Sequence, residues 1–295
     1  MKIGSECLKD KQQLIDRRNI INYYEVGDKR NPLIICLHGL AGNSIYTYSE
    51  LSVLLDKDFH LIMLDLPGHG GSSPLKGEDD YLFSSLAQWL QKVIKQITIK
   101  PFYIMGHSWG ADLALHYTRY HPTDLLGIIL LDGGFTFPVN QPEMTFDLAL
   151  SGWDTYMDNS TLVDWDTIIE EYKTYTKQWN NEKEEFVSSL FRKEENRYTL
   201  ISTKFTVISI IKAFFLEPFT DAYPSIRAPL LLIHATYPKS LDKARLLGIH
   251  QIETAINDVT IIAMEHSGHM LQWDEPEQTA IEIKRWILQK EYITK

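Results

Sequence analysis

The sequence predicts an α/β fold: a mostly parallel sheet with helices on both faces and a helical insertion. Three observations carry this. Apolar runs at 33–37, 102–105, 127–131 and 229–233 read as strands covered on both faces. Segments of helical length alternate with them, which is the pattern of a parallel sheet with crossover helices. One long stretch, 133–225, shows no strand pattern and differs in composition from everything around it.

In chain order, residues 12–26 alternate polar and apolar around Ile21, Tyr23 and Val26. That is a half-exposed hairpin, Gln12 to Asp16 and Asn19 to Val26, with Arg17-Arg18 near the turn. The strand 33–37 leads to His38-Gly39-Leu40-Ala41-Gly42 and a helix from about Tyr46 to Leu55. A strand at 60–65, a glycine-rich turn at 67–73 and a helix from about Ser84 to Gln96 follow. Strand 127–132 ends in an acid, Asp132. After the insertion come a strand at 229–234, a strand at Val259 to Ala263, and a helix from about Pro276 to Gln289. In such sheets a site forms beyond the strands' C-terminal ends. Ser108, Asp132 and His269 all fall there.

The centre of the chain is Gly106-His107-Ser108-Trp109-Gly110, a G-x-S-x-G pattern. Phe102-Tyr103-Ile104-Met105 before it reads as a buried strand, and Ala111 to Tyr117 after it as a helix. Strand, tight turn and helix is the context in which this pattern holds a serine hydroxyl out into a pocket. Side chains at 106 and 110 would crowd such a turn.

These residues resemble the nucleophile elbow of the α/β-hydrolase superfamily. Ile34-Ile35-Cys36-Leu37-His38-Gly39 is similar to that family's oxyanion-loop entry. Leu64-Asp65-Leu66-Pro67-Gly68-His69-Gly70-Gly71-Ser72-Ser73 is close to its D-x-P-G-x-G-x-S turn. Ser267-Gly268-His269-Met270 with Glu275-Pro276-Glu277 resembles its histidine loop and last helix. The resemblance covers nearly the whole chain and implies a core of 1–132 and 226–295, with 133–225 a helical cap after the sixth strand. It implies a catalytic triad of Ser108, His269 and an acid, with the amides of Leu40 and Trp109 as the oxyanion hole. Each such donor lowers a barrier by about 3–4 kcal/mol. His38 and His107 are then structural neighbours, and Asp65 and His69 hold the glycine-rich turn.

The sequence departs from the commonest family pattern at the acid. Where an aspartate usually follows the seventh strand, the chain reads Leu231-Leu232-Ile233-His234-Ala235-Thr236-Tyr237-Pro238. Some members place the acid after the sixth strand, and Asp132 occupies that position. Asp242 is the fallback if the loop after Pro238 doubles back, and a triad without a proper acid remains open. Asp132 also reads as a structural aspartate tying down Gly133-Gly134. His266 competes with His269 for the base, but the Ser267-Gly268-His269 setting fits better.

The chain has 295 residues, enough for one α/β domain with an insertion, and 44% of them are hydrophobic. No run of about 18 uncharged apolar residues is present, so no membrane span is expected. The N-terminal residues Met1 to Cys7 lack a signal peptide's apolar run, and Cys36 reads as a buried small hydrophobe. A Cys7–Cys36 disulfide is disfavoured, and a cytoplasmic setting is expected. The net charge of −10 argues against nucleic-acid or anionic-membrane partners. No histidine or cysteine spacing calls for a metal, and the glycine-rich turn is not a dinucleotide or phosphate loop. No cofactor is expected, and the chain would be a monomer or homodimer acting on a small-molecule acyl substrate.

The insertion holds 17 of the chain's 34 aromatic residues and 15 acids against 8 Lys and Arg. Trp153, Tyr156, Trp165, Tyr172, Tyr175 and Trp179 are expected partly toward the pocket, or else packing the cap onto the body. The runs Glu182–Glu185 and Lys193–Glu195 read as solvated helix faces. The resulting expectation is a serine hydrolase, carboxylesterase-like, for a small and largely apolar ester, lactone, thioester or amide. Carbon–carbon bond hydrolysis or perhydrolysis uses the same residues, and a slow-turnover small-molecule sensor is the rival of another class. Dehalogenase and epoxide-hydrolase chemistry is disfavoured, since such relatives carry aspartate where Ser108 stands.

Overall fold

The computed structural model describes residues 11–16, 19–122, 125–162, 164–195 and 197–293. Cys7, Met1 to Cys7 as a whole, and Arg17-Arg18 therefore lie outside the described residues. The chain opens on the hairpin β1 (Lys11–Asp16) and β2 (Asn19–Val26), paired antiparallel. Then come β3 (Leu33–Leu37), α1 (Ser44–Leu55), β4 (His60–Leu64), α2 (Phe83–Ile97), β5 (Phe102–His107), α3 (Trp109–Tyr120) and β6 (Leu125–Leu131).

Residues 133–225 contribute α4 (Phe146–Asp158), β7 (Thr161–Leu162), α5 (Trp165–Lys173), α6 (Asn181–Ser188), β8 (Phe191–Glu194), β9 (Arg197–Leu200) and α7 (Lys204–Leu216). Each of these helices starts at a side-chain cap: Thr145, Asp164, Asn180 and Thr203 accept amide hydrogens from the first turn. The chain closes with β10 (Leu230–Ala235), α8 (Asp242–Ala255), β11 (Val259–Met264), α9 (Leu271–Asp274) and α10 (Pro276–Ile293).

The main sheet has eight strands in the order β1-β2-β4-β3-β5-β6-β10-β11. Only the β1–β2 and β2–β4 pairs are antiparallel; the other five pairs are parallel. Strand side chains alternate between two cores. Ile35, Leu37, Ile104, Ile128, Leu130 and Leu232 pack under α2 and α3. Ile34, Cys36, Met105, Ile129, Leu131 and Ile233 pack under α1 and α10. Every residue of β3, β4, β5 and β10 is buried, which is why these strands read as unbroken apolar runs. Full burial of one such Leu or Ile is worth about 1.5–3 kcal/mol.

Two features differ from the sequence reading. First, 133–225 contains a three-stranded antiparallel sheet, β7-β9-β8. Its strands are two to four residues long, and the charged run Lys193–Glu195, expected on a helix, enters a hairpin turn with Glu195 at φ 42°. Strands this short give too few alternations to register as a period. The Glu182–Glu185 run does lie on a helix, α6. Second, the segment after Pro238, where the sequence reading placed no helix, runs into α8. Leu246 and Leu247 are exposed on that helix, which blurs its amphipathic pattern.

Residues 133–225 supply most of a third apolar cluster. Ile168, Tyr172, Phe186, Val187 and Val207 pack together and against Tyr46, Met270 and Trp273 of the body. Among the described residues no helix is long and apolar enough to cross a membrane.

Candidate active site

Ser108 sits between β5 and α3 with φ 52° and ψ −122°, backbone angles that a residue with a side chain rarely adopts. The strain is held by close packing. A Cβ at Gly106 would stand 2.2 Å from the Gly110 carbonyl oxygen, and one at Gly110 would stand 2.2 Å from that of Leu37. Only glycine fits either place. Ser108 makes no side-chain cap bond to α3, so the Trp109 amide begins the helix with no acceptor inside it.

Residues 38–42 pass beside the serine: a Cβ at Gly39 would lie 3.3 Å from Ser108 Cβ. Two buried histidines fix this loop. His38 Nδ1 donates to the Gly39 carbonyl (2.8 Å) and its Nε2 accepts from the Leu66 amide (2.9 Å). His69 Nδ1 donates to the Pro67 carbonyl (3.0 Å) and its Nε2 accepts from the Ala41 amide (3.2 Å). Burial pushes the two rings down to about 4 and about 3, so they stay neutral and keep one acceptor nitrogen each. Asp65 takes the amides of Ser44 and Gly71 and the Asn22 side chain, which ties α1, β2 and the glycine-rich turn together. The Ala41 amide is thus committed to His69, while Leu40 lines the same cavity as Ser108.

Asp132, at the end of β6, has φ 46°. Its Oδ2 lies 2.7 Å from His269 Nδ1, and its Oδ1 accepts from the Ala235 amide at 2.9 Å. Burial alone would raise its carboxyl. The hydrogen bond and charge of His269 and the Ala235 amide outweigh this and hold it below the usual carboxylate range. The carboxylate accepts the Nδ1 proton, which leaves His269 Nε2 as the basic nitrogen.

The ring carrying that nitrogen is positioned from behind by His107. His107 Nε2 donates to the His269 carbonyl at 3.0 Å, with ring centroids 4.9 Å apart. Burial first, and then the neighbouring His269, push His107 down to about 3.

Asp242 is not brought to His269. It opens α8, half-exposed, and pairs with Arg245 at 3.0 Å. Arg245 also holds the carbonyls of Tyr237 and Pro238. His266 is exposed, and its carbonyl accepts from Lys177 Nζ.

Ser108, Asp132 and His269 line one cavity of about 1220 Å³, walled by the insertion. Trp153, Tyr156, Tyr172 and Tyr175 line it as expected. Trp165 and Trp179 do not line it. Trp165 packs on Tyr198 and donates to Glu184, and Trp179 meets Trp273. Two acids that sequence reasoning did not single out also line the cavity. Asp112 Oδ2 accepts from the Gly134 amide at 3.1 Å, and burial pushes its carboxyl well up. Asp274 accepts from residues of both the histidine loop and the insertion. Their roles rest on partners far apart in sequence, which no local pattern marks.

A family profile described as alpha/beta hydrolase fold matches residues 32–276, and the chain belongs to that family. Among curated relatives, it is 25% identical over 276 residues to protein phosphatase methylesterase 1 of Candida albicans, covering 88% of this chain and 69% of that protein. It is 32% identical over 111 residues to a serine hydrolase-like protein of Danio rerio, covering 38% of this chain and about a third (34%) of the relative. Its fold is similar to that of E-2-(acetamidomethylene)succinate hydrolase, with TM-score 0.76, 18% identity, and 94% and 98% of the two chains covered.

Proposed function

We propose that the protein is a serine hydrolase that cleaves a small, largely apolar carboxylic ester through an acyl-serine intermediate. The observation that carries this reading is the Asp132–His269 pair at 2.7 Å, opening on the cavity that also holds Ser108. Ser108 Oγ attacks the acyl carbon while His269 Nε2 takes its proton. The carbonyl oxygen becomes an oxyanion held by the amides of Leu40 and Trp109. Collapse breaks the ester bond, and the leaving alkoxide takes the proton back from His269. Water then repeats the sequence on the acyl group and frees Ser108. Asp132 holds the imidazole tautomer and stabilises the imidazolium formed in each half.

In this reading residues 133–225 form a cap over a core of 1–132 and 226–295, and the cap aromatics supply apolar walls for the acyl group. The methylesterase name of the Candida albicans relative, which aligns over most of the chain, supports ester cleavage. The net charge of −10 favours a small-molecule substrate over a nucleic-acid partner.

Labelling with a fluorophosphonate probe, followed by a screen of p-nitrophenyl esters of increasing chain length, tests the proposal. Ser108→Ala is expected to abolish labelling and to lower kcat by about 10⁶. Persistent labelling of that variant would move the nucleophile elsewhere. Absence of both labelling and turnover in the unaltered protein would remove the hydrolase reading.

A further inference from the structure

Asp274, at the end of α9, is 3% exposed and points at two segments that are distant in sequence. Its Oδ2 accepts from the Gly268 amide at 2.7 Å, one residue before His269. Its Oδ1 accepts from the Thr176 hydroxyl at 2.7 Å and from the Lys177 amide at 2.7 Å, both in the insertion. Lys177 extends the same contact: its Nζ donates to the His266 carbonyl at 2.9 Å and lies 3.8 Å from the Tyr237 ring centroid. The other side of the His269 backbone is held by His107 at 3.0 Å. The main chain around His269 is thus clamped between the strand end that carries Ser108 and a carboxylate whose other oxygen belongs to the insertion.

We propose that Asp274 is a positioning residue that couples the 176–177 turn of the insertion to the placement of His269. This rests on the reading of His269 as the general base. A buried carboxylate oxygen left without a donor carries a desolvation penalty. When the 176–177 turn lifts from the body, Asp274 loses both hydrogen bonds on Oδ1 and has reason to turn toward other donors. Its grip on Gly268 weakens with that turn. Thr174, Tyr175, Thr176 and Lys177 line the cavity next to Gly268 and His269. Seating of the turn therefore encloses the substrate and aligns the base in a single step, so that an open cap holds a poorly aligned imidazole.

Three variants test the coupling. Thr176→Val removes one bond on the insertion side, some ninety residues from His269 in sequence. Asp274→Asn leaves the size unchanged but presents an amide donor to one of the amides. Lys212→Ala breaks an exposed tie between α7 and Glu78 on the body, away from the histidine loop, and serves as the control. For each, the rate of fluorophosphonate labelling, kcat and KM for p-nitrophenyl acetate, and amide hydrogen exchange over 265–271 are measured.

Thr176→Val is expected to slow labelling and kcat by about 10-fold and Asp274→Asn by about 50-fold, with KM within about twofold, because misplacing a reacting group by about 1 Å costs up to about 10². Exchange over 265–271 is expected to speed up by about 10-fold in both, with Lys212→Ala unchanged throughout. Unaltered labelling and exchange in Thr176→Val, or equal losses in Lys212→Ala, would overturn the coupling. If the unaltered protein neither labels nor turns over, the hydrolase reading fails, and the exchange comparison still decides whether the insertion holds the 265–271 loop.

Discussion

Asp132 reaches His269 from the end of β6: its Oδ2 lies 2.7 Å from His269 Nδ1 while its Oδ1 is fixed by the Ala235 amide of β10. The acid thus spans two adjacent parallel strands and presents one oxygen to the ring. Asp242, four residues past Pro238 at the start of α8, is spent on Arg245 instead.

The two acids separate by kinetics. Asp132→Asn keeps the shape but offers the ring the wrong hydrogen-bonding partner, so kcat is expected to fall by about 10³–10⁴ with the fold retained. Asp242→Asn is expected to cost less than about tenfold. The reverse ranking in p-nitrophenyl ester assays, with both variants folded by circular dichroism, would hand the role to Asp242.

The elbow glycines give a second expectation. At Gly110 an added Cβ would meet the backbone of Leu37 and His38 at 2.2–2.7 Å, where nothing flexible can give way. Gly110→Ala is expected to lose at least about 2 kcal/mol, in the upper range for overpacking. Thermal unfolding would show it as a lowered Tm. An unchanged Tm would mean that β3 and α3 can separate at no cost.

Much of this was legible in the sequence because the strands that carry the site are buried on both faces. Leu33–Leu37, Phe102–His107 and Leu230–Ala235 leave no solvent face to break the apolar run. The elbow was legible because Gly106 and Gly110 answer to a local steric demand. Asp132 could be preferred over Asp242 because it ends such a strand. What stayed hidden depends on distant pairing. Thr176 and Lys177 meet Asp274 across nearly a hundred residues, and His107 meets His269 across 162. The β8–β9 hairpin was hidden for another reason: Arg192, Lys193 and Glu194 are exposed on a short strand, so charge masked the pairing.

Asp112 carries a dependence of stability on pH. Burial raises its carboxyl well above the usual range, so the folded protein holds this proton more tightly than the unfolded chain does. Its contribution is fully favourable below the unfolded value, about 3.9, and is lost as pH rises toward the folded value. Asp112→Asn cannot titrate and keeps an acceptor for the Gly134 amide. The Tm of Asp112→Asn relative to the unaltered protein is therefore expected to rise between pH 5 and pH 8. A gap that stays constant across that range would show that Asp112 does not titrate differently on folding.

Gly152 tests whether the insertion selects the acyl chain. It lies within α4, lines the cavity, and a Cβ built on it meets nothing within 4 Å. A side chain there thus enters open space, and Gly152→Ala is expected to stabilise the helix by about 0.5–1 kcal/mol. Gly152→Trp uses the same room to place a bulky ring where α4 lines the cavity. If the acyl chain runs along α4, a long ester meets the new ring and a short one does not. Gly152→Trp is therefore expected to leave kcat/KM for p-nitrophenyl acetate within about twofold and to lower that for the octanoate by about 10-fold or more. One or two displaced methylenes are worth about 1–3 kcal/mol each in such a pocket. Equal effects on both esters would mean that the acyl chain does not run along α4. The substrate-selecting wall would then lie elsewhere in the cavity.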